Sequence, residues 1–117
     1  MRELPSPAEV RAHVLLALDL ANHGRAEGEV AEVLAHRLRD GVRALAEPAR
    51  RWATGRSDVA ERAGHLTTIR RAVEIADAGS GLHADPAHSL RMLAKAVDVL
   101  ARMAGAEAGR KRQGEAR

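Results

Sequence analysis

The sequence contains no cysteine, no phenylalanine and no tyrosine, and its single tryptophan is Trp52. Without cysteine the chain cannot form a disulfide, a thiolate zinc site or a cysteine nucleophile. Base-stacking platforms and many flavin or haem pockets depend on aromatic side chains, so these functions are disfavoured and we predict no cofactor. The core has to be built from leucine, valine and alanine, which favours packed helices.

Long apolar runs are also missing. No stretch approaches the roughly 18 apolar residues of a membrane span. The first ten residues, MRELPSPAEV, lack the basic segment and apolar run of a secretory signal. We therefore expect a cytoplasmic protein with no membrane partner. The length of 117 residues suits one domain.

The net charge of +3 is concentrated in the C-terminal segment from residue 102, which leaves the rest of the chain neutral. A nucleic-acid-binding domain normally carries its basic charge on the folded surface, because phosphate neutralisation drives most of its affinity. A helix-turn-helix over about 30–46 would need a short turn that the sequence lacks. A nucleic-acid partner is therefore not expected, and a DNA-binding regulator is a minor alternative.

Apolar residues at three- and four-residue spacing predict four helices, over about 7–22, 26–54, 58–78 and 86–104. Ser6 with Pro7, Ser57, and Asp85 with Pro86 are the predicted N-terminal caps. The fold prediction is thus an all-α protein with a single small helical bundle in residues 1–105.

Two features of these helices carry further predictions. Pro48 lies inside the second predicted helix, where it produces either a kink or two shorter helices, and we favour the kink. Residues 106–117 are polar, basic and punctuated by glycine, which predicts a flexible tail whose removal leaves the fold unchanged.

The apolar surface of the first and fourth predicted helices exceeds what one small core would cover. The predicted buried face of the third helix consists of Val59, Ala63, Leu66, Ile69, Val73 and Ala76. Six residues of the first and fourth helices are predicted to form an interface: Leu15, Leu16, Leu20, Met92, Val99 and Met103. Because soluble chains most often cover such surface by two-fold pairing, we expect a homodimer. In the alternative, the fourth helix lies at the centre of the bundle and is covered internally.

Carboxylate and histidine pairs one helical turn apart raise the question of a metal site. Glu32 with His36 and Glu61 with His65 are separated by four residues, whereas di-iron bundles use Glu-x-x-His together with further buried glutamates. A third group, His83, Asp85 and His88, surrounds a predicted helix cap. A closed metal site needs more ligands than any of these groups offers, so we predict no metal.

Six residues are candidates for binding a ligand. His13 lies beside the apolar stripe of the first predicted helix, where it is either a general base or a partly buried structural histidine. Two arginine pairs would form a fork for phosphate or carboxylate if the second and third helices bring them together. The candidates are His13, Arg50, Arg51, His65, Arg70 and Arg71. No serine lies in a Gly-x-Ser-x-Gly setting, so no catalytic residue is predicted.

Segments 38–48 (LRDGVRALAEP) and 79–103 (GSGLHADPAHSLRMLAKAVDVLARM) resemble a family of short actinobacterial proteins. Members share an L-R-x-x-aliphatic run ending near proline, then a Gly-x-Gly-Leu turn and a helix rich in alanine, arginine and leucine. The family is labelled natural product biosynthesis, and its mechanism is unknown. Here Ala101, Arg102 and Met103 replace the aromatic and cysteine residues that often end the last family helix. The resemblance implies a pathway setting but no catalytic residues.

The sequence therefore favours a non-enzymatic helical accessory protein of a bacterial secondary-metabolite pathway, which binds a partner protein or a hydrophobic small molecule. The apolar surface of the predicted helices and the absence of an assembled catalytic motif support this interpretation. The alternative from a different class is a small helical enzyme with an interhelical pocket, where His13, His65 or the arginine pairs supply the polar groups.

Overall fold

The computed structural model describes residues 4–78 and 85–115. Four helices account for most of them: α1 (Pro7–Asn22), α2 (Glu29–Thr54), α3 (Val59–Asp77) and α4 (Pro86–Glu115). The described residues form no β-strand, so the prediction of an all-α protein with four helices is confirmed. None of the described helices is both long and apolar enough to cross a lipid bilayer. The predicted turn at Gly79, Ser80 and Gly81, together with His83, lies outside the described residues.

Side-chain caps fix where three of the helices begin. The hydroxyl of Ser6 accepts a hydrogen bond from the Glu9 amide at 3.1 Å, and Asp85 Oδ1 accepts one from the Ala87 amide at 3.0 Å. Both caps are as predicted. The predicted cap of α3 at Ser57 is wrong, because the carboxylate of Asp58 accepts from the Glu61 amide at 2.9 Å. An Asp-x-x-Glu pair supplies this cap one residue later than the serine would.

Pro48 lies within α2, which runs through it as one helix from Glu29 to Thr54. The alternative of two shorter helices is therefore wrong, while the kink itself stays a prediction. The helix begins three residues later than predicted. Gly28 precedes it with a φ of 102°, a backbone conformation that glycine adopts without steric cost.

The end of the fourth helix differs from the prediction. α4 does not stop at about residue 104 but continues to Glu115. Glu107 follows Met103 and Ala104 at helical spacing, and it is only 4% exposed. The buried stripe of α4 therefore extends past Gly105. An isolated glycine costs a helix only about 1 kcal/mol, so the helix can continue through this position. Within the predicted tail, residues 106–115 are helical, whereas 116–117 lie outside the described residues.

The helices run alternately up and down, and contacts across the bundle give their relative directions. Trp52 meets His65, and Arg43 donates to the Ala76 carbonyl oxygen at 3.5 Å, so α2 and α3 are antiparallel. Near the start of α4, Arg91 donates to the carbonyl oxygen of Ala21 at 3.3 Å, which places α4 antiparallel to α1.

The central pair of the bundle is α2 and α4, which run parallel. Gly41 packs on Val97, and further along both helices Gly55 packs on Arg110. α4 also contacts α1 and α3. The fourth helix therefore lies at the centre of the bundle, as in the alternative to the dimer that the sequence left open. Both of its apolar stripes face the other helices, since most of their residues are buried and Met92 and Val99 are half-buried.

Small side chains dominate the core, which lets the helix axes approach closely. Its largest fully buried residues are Leu38, Val42, Ile69 and Leu100. The predicted buried face of α3 is partly wrong: Ile69 and Ala76 are buried, but Val59, Ala63 and Leu66 are exposed, and Ala72 is buried in their place. Val30, predicted on the buried stripe of α2, is 64% exposed.

Candidate functional site

His13 lines a cavity of about 430 Å³ between the first turns of α1 and the middle of α2. The side chain is half-buried. Charged neighbours share the cavity: Glu9, Arg37 and Asp40. Asp40 already lies 3.5 Å from both His36 Nε2 and Arg43 Nη1. Its negative charge is therefore balanced by local pairs, and nothing in this cavity requires a ligand.

His65 lies against the only tryptophan of the chain. The ring centroids of Trp52 and His65 are 4.6 Å apart, and the guanidinium carbon of Arg56 lies 5.1 Å from the Trp52 ring centroid. These residues line an open cleft with Glu61 and Thr68. The tilted ring contact between α2 and α3 accounts for the position of His65, since aromatic pairs and cation–π contacts stabilise such surfaces without any ligand.

The two arginine pairs do not line one cavity, although α2 and α3 are antiparallel as the fork requires. Arg50 lies 3.5 Å from Glu47, and Arg70 lies 3.9 Å from Glu74, each on its own helix. The cleft lined by Arg50 and Arg51 is completed by α4 and does not include Arg70 or Arg71. The fork stays a prediction, and Arg50 and Arg70 each pair instead with a carboxylate about one turn away on the same helix.

The α4 residues in that cleft are Glu107 and Arg110. Arg110 Nη2 donates to Glu107 Oε1 at 2.8 Å and lies 2.7 Å from Oε2, which accepts no well-directed hydrogen bond. The guanidinium packs against Gly55, where a Cβ atom would come within 2.5 Å of Arg110 Nη1. This contact docks the C-terminal part of α4 onto the end of α2.

Removing residues 106–117 is therefore expected to destabilise the fold, contrary to the expectation from the sequence. The deletion takes away Glu107 and Arg110 with the turns of α4 that carry them, and we expect a loss of about 1–2 kcal/mol, or a fall of roughly 5–10 °C in the thermal midpoint. A truncation after residue 112 keeps Glu107 and Arg110 and should shift the midpoint much less. Equal midpoints for both truncations and the full chain, measured by circular dichroism, would show that this contact contributes nothing.

The six predicted interface residues fall into three groups. Leu15 is 60% exposed and Leu16 is 41% exposed, so both are available to a partner. Met92 and Val99 are half-buried. Leu20 and Met103 lie in the core and are wrong as interface residues, because α1 and α4 cover them within one chain. The homodimer stays a prediction, with a smaller apolar surface than the sequence indicated.

The two histidines of these pairs contact other residues. His36 Nε2 lies 3.5 Å from Asp40 Oδ2, and the ring of His65 lies tilted against Trp52. Within residues 4–78 and 85–115, no three His, Asp or Glu side chains are grouped so that they could hold a metal ion.

A different cavity, of about 530 Å³, lies between the first half of α2 and the first turns of α4. Apolar side chains make up most of its wall, and we call it the α2–α4 cavity. Its apolar lining residues are Ala26, Ala31, Ala35, Pro86, Leu90 and Leu93, and its polar ones are Glu27, Glu32, Arg39 and Ser89.

The local sequence explains why space remains there. Ala31 and Ala35 follow one another at four-residue spacing along α2, so this edge of the helix carries only methyl groups. Gly28 contributes no side chain where α2 begins. Because α2 and α4 are parallel, these small residues lie opposite Leu90 and Leu93 at the start of α4. The space between the two helices is therefore a continuous groove and is not filled by side chains of the core.

Two buried polar atoms in the α2–α4 cavity have no hydrogen-bond partner among the described residues. They are Nε of Arg39 and the hydroxyl oxygen of Ser89. Both side chains are half-buried overall, one on each of the two helices. A buried polar atom without a partner typically costs about 1–3 kcal/mol, and neither atom is open to a molecule in the cavity unless its side chain moves. This cavity therefore combines an apolar wall with two unused polar groups.

Arg39 did not stand out in the sequence. A signal was present, since Ala31, Ala35 and Arg39 recur at four-residue spacing along α2, and Arg39 lies about 100° around the helix from the buried Leu38. Ser89 was considered only as a nucleophile. That Arg39 and Ser89 line one cavity depends on the parallel packing of α2 and α4, which helical periodicity does not determine.

Comparisons with known proteins found no relative of this chain. The chain matches no family model, no curated protein and no solved structure. The resemblance to the actinobacterial family, with the pathway setting that it implies, therefore stays a prediction, and the α2–α4 cavity has to be interpreted from its own chemistry.

Proposed function

We propose that this protein is a non-enzymatic binding protein that holds a small, mostly apolar molecule in the α2–α4 cavity. The observation that carries the proposal is the cavity of about 530 Å³ itself, whose wall is mainly apolar and also includes Arg39, Ser89, Glu27 and Glu32. Ligand pockets typically combine an apolar lining with a few converging polar groups, and their volumes start near 300 Å³.

The same features favour binding over catalysis. Catalysis needs a nucleophile or general base held in reach of a second activating group. In the α2–α4 cavity Arg39 is a donor only, and Ser89 has no histidine beside it in the cavity wall. These groups can orient a ligand but do not form an activated nucleophile. We propose a setting in a secondary-metabolite pathway from the resemblance of segments 38–48 and 79–103 alone.

The proposal is tested with N-phenyl-1-naphthylamine, an uncharged apolar probe whose fluorescence rises in apolar surroundings. We expect saturable binding to the full chain with one site. Ala35→Phe should weaken binding at least tenfold, because the ring occupies the groove beside Arg39. The matched control is Ala63→Phe, the same change at an exposed position of α3. Absent binding, or equal binding by both variants and the natural chain, would rule out this function.

A further inference from the structure

We infer that the outer face of α1 is the interface with a second copy of this chain, in which the two α1 helices pack antiparallel with Leu15 at the two-fold axis. The inference gives one surface and one register to the homodimer that the sequence predicts. This face shares no residue with the α2–α4 cavity, so the inference does not depend on the proposed function. Three observations carry it: the direction of Leu15, the charges on either side of it and the groove beside it.

Leu15 points away from the core of its own chain. It is 60% exposed, whereas Val10 and Ala17, which lie on the opposite side of the same helix, are buried. α4 and α2 contact α1 from that buried side. A single exposed leucine is ordinary on a protein surface, so the neighbours of Leu15 decide whether the face suits a second copy.

The charged neighbours of Leu15 have opposite signs and are placed symmetrically. Arg11 lies four residues before Leu15 and Asp19 four residues after it, each about 40° around the helix, and both are exposed. Arg11 forms no ion pair with another described residue. Asp19 lies 3.1 Å from His23 Nδ1, which also bonds to the Asp19 carbonyl oxygen at 2.8 Å, so its carboxylate has room for a second partner. Glu9, the other acidic residue of α1, lies about 120° away from Leu15.

A two-fold axis at Leu15 brings these opposite charges together between copies. In an antiparallel helix pair, a residue four positions before Leu15 lies level with the residue four positions after Leu15 in the other copy. Arg11 of each copy therefore faces Asp19 of the other, which gives two reciprocal ion pairs. Three positions from Leu15, the apolar residues Ala12 and Leu18 face each other in the same way.

The charges also exclude the other pairing of the same face. A parallel pair would place Arg11 beside Arg11 and Asp19 beside Asp19, which like-charge repulsion disfavours. A two-fold interface has to be self-complementary, with residue i contacting j and j contacting i. The antiparallel register meets this requirement at each of the positions named, which is why a second copy fits this face.

A groove of about 460 Å³ between α1 and α4 lies beside Leu15 and gives space for the leucine of the second copy. Its apolar lining includes Val14 and Ala101, which are both half-buried. Asp98 and Arg102 also line the groove, and they pair with each other at 3.0 Å. One helix of 16 residues supplies most of the surface, so the interface is smaller than the roughly 1,200–2,000 Å² of a stable complex. We therefore expect a weak dimer with a dissociation constant of about 1–100 µM.

Analytical ultracentrifugation of the full chain over about 1–500 µM measures this association. We expect a monomer–dimer equilibrium, and Leu15→Ala should weaken it at least tenfold because the leucines at the axis lose their contact. The matched control is Leu66→Ala, an exposed leucine of α3, which should dimerise like the natural chain.

Charge reversal tests the register. Arg11→Glu and Asp19→Arg should each weaken the dimer at least tenfold, since each change places like charges together at two points. The double variant with both changes restores opposite signs at each point and keeps the net charge, so it should dimerise like the natural chain. Both changes suit the helix dipole, because the acid comes near the N-terminus of α1 and the base near its C-terminus. Arg71→Glu, at an exposed position of α3, is the control for net charge and should change nothing.

Three results would overturn the inference. They are a natural chain that stays monomeric over the whole range, a dimer that Leu15→Ala leaves as tight as before, and a double variant that dimerises as weakly as the single charge reversals. The last result would show that Arg11 and Asp19 do not face each other. Circular dichroism of every variant measures its helix content, and recovery of the dimer in the double variant would show that both changes leave α1 folded.

Discussion

Replacing Leu100 with alanine should lower the free energy of unfolding by about 2–5 kcal/mol, the range for a buried leucine truncated in a packed core. Leu100 is fully buried, and it lies on α4, the helix that contacts all three others. Its loss leaves a cavity at the centre of the bundle, where several helices would have to move to close it. Domains of this size are stable by only about 5–15 kcal/mol, so the change removes a large fraction of the total.

The measurement is urea denaturation followed by far-ultraviolet circular dichroism, with Leu15→Ala as the control. Leu15 is 60% exposed, so the same truncation there should change the free energy of unfolding by about 0.5 kcal/mol or less. Similar losses at both positions would contradict the central position of α4. A loss at Leu15 that grows with protein concentration would instead support the predicted homodimer, because an interface stabilises the fold by mass action.

Helix boundaries were predictable wherever the sequence offers a single cap. Ser6 with Pro7 and Asp85 with Pro86 each combine a capping side chain with a proline in the first turn, and both helices begin there. At the start of α3 two neighbouring residues, Ser57 and Asp58, were able to cap. Spacing alone did not separate them, although Glu61 stands three residues after Asp58 and completes the pattern of a capping box.

Burial was harder to predict, because it depends on which neighbour covers each face. α3 has no buried residue before Ile69, although Val59 and Leu66 continue the same spacing. In the N-terminal half of α3 the contact with α2 is made by His65, which meets Trp52, so Val59 and Leu66 are left exposed. In α4 the prediction erred in the opposite direction. Glu107 was placed in a flexible tail, but it is buried, where its charge pairs with Arg110.

Predicting the candidate site would have required knowing that α2 and α4 run parallel. The sequence marks arginines that stand in pairs, such as Arg50 with Arg51, but paired residues point to different sides of a helix. Arg39 is a single arginine on the edge of an apolar stripe, which makes it half-buried rather than exposed. Its place in the wall of the α2–α4 cavity follows only once the two helices are packed in parallel.

Replacing Gly41 with alanine should destabilise the protein by about 1–2 kcal/mol, although alanine is the better helix former. The intrinsic gain from such a change inside a helix is about 0.5–1 kcal/mol. At this position, however, a Cβ atom would lie 2.9 Å from Cγ2 of Val97, which is 2% exposed and held in the core. Overpacking of this kind typically costs about 1–3 kcal/mol and exceeds the gain.

Gly64→Ala is the matched control, because Gly64 lies inside α3 with nothing within 4 Å of its added Cβ atom. That variant should raise the free energy of unfolding by about 0.5–1 kcal/mol. The double variant with Gly41→Ala and Val97→Ala removes the methyl group that clashes, so it should lose less than the sum of the two single changes, by about 1 kcal/mol or more. If Gly41→Ala stabilises the protein as much as Gly64→Ala does, α2 and α4 do not pack this closely at Gly41.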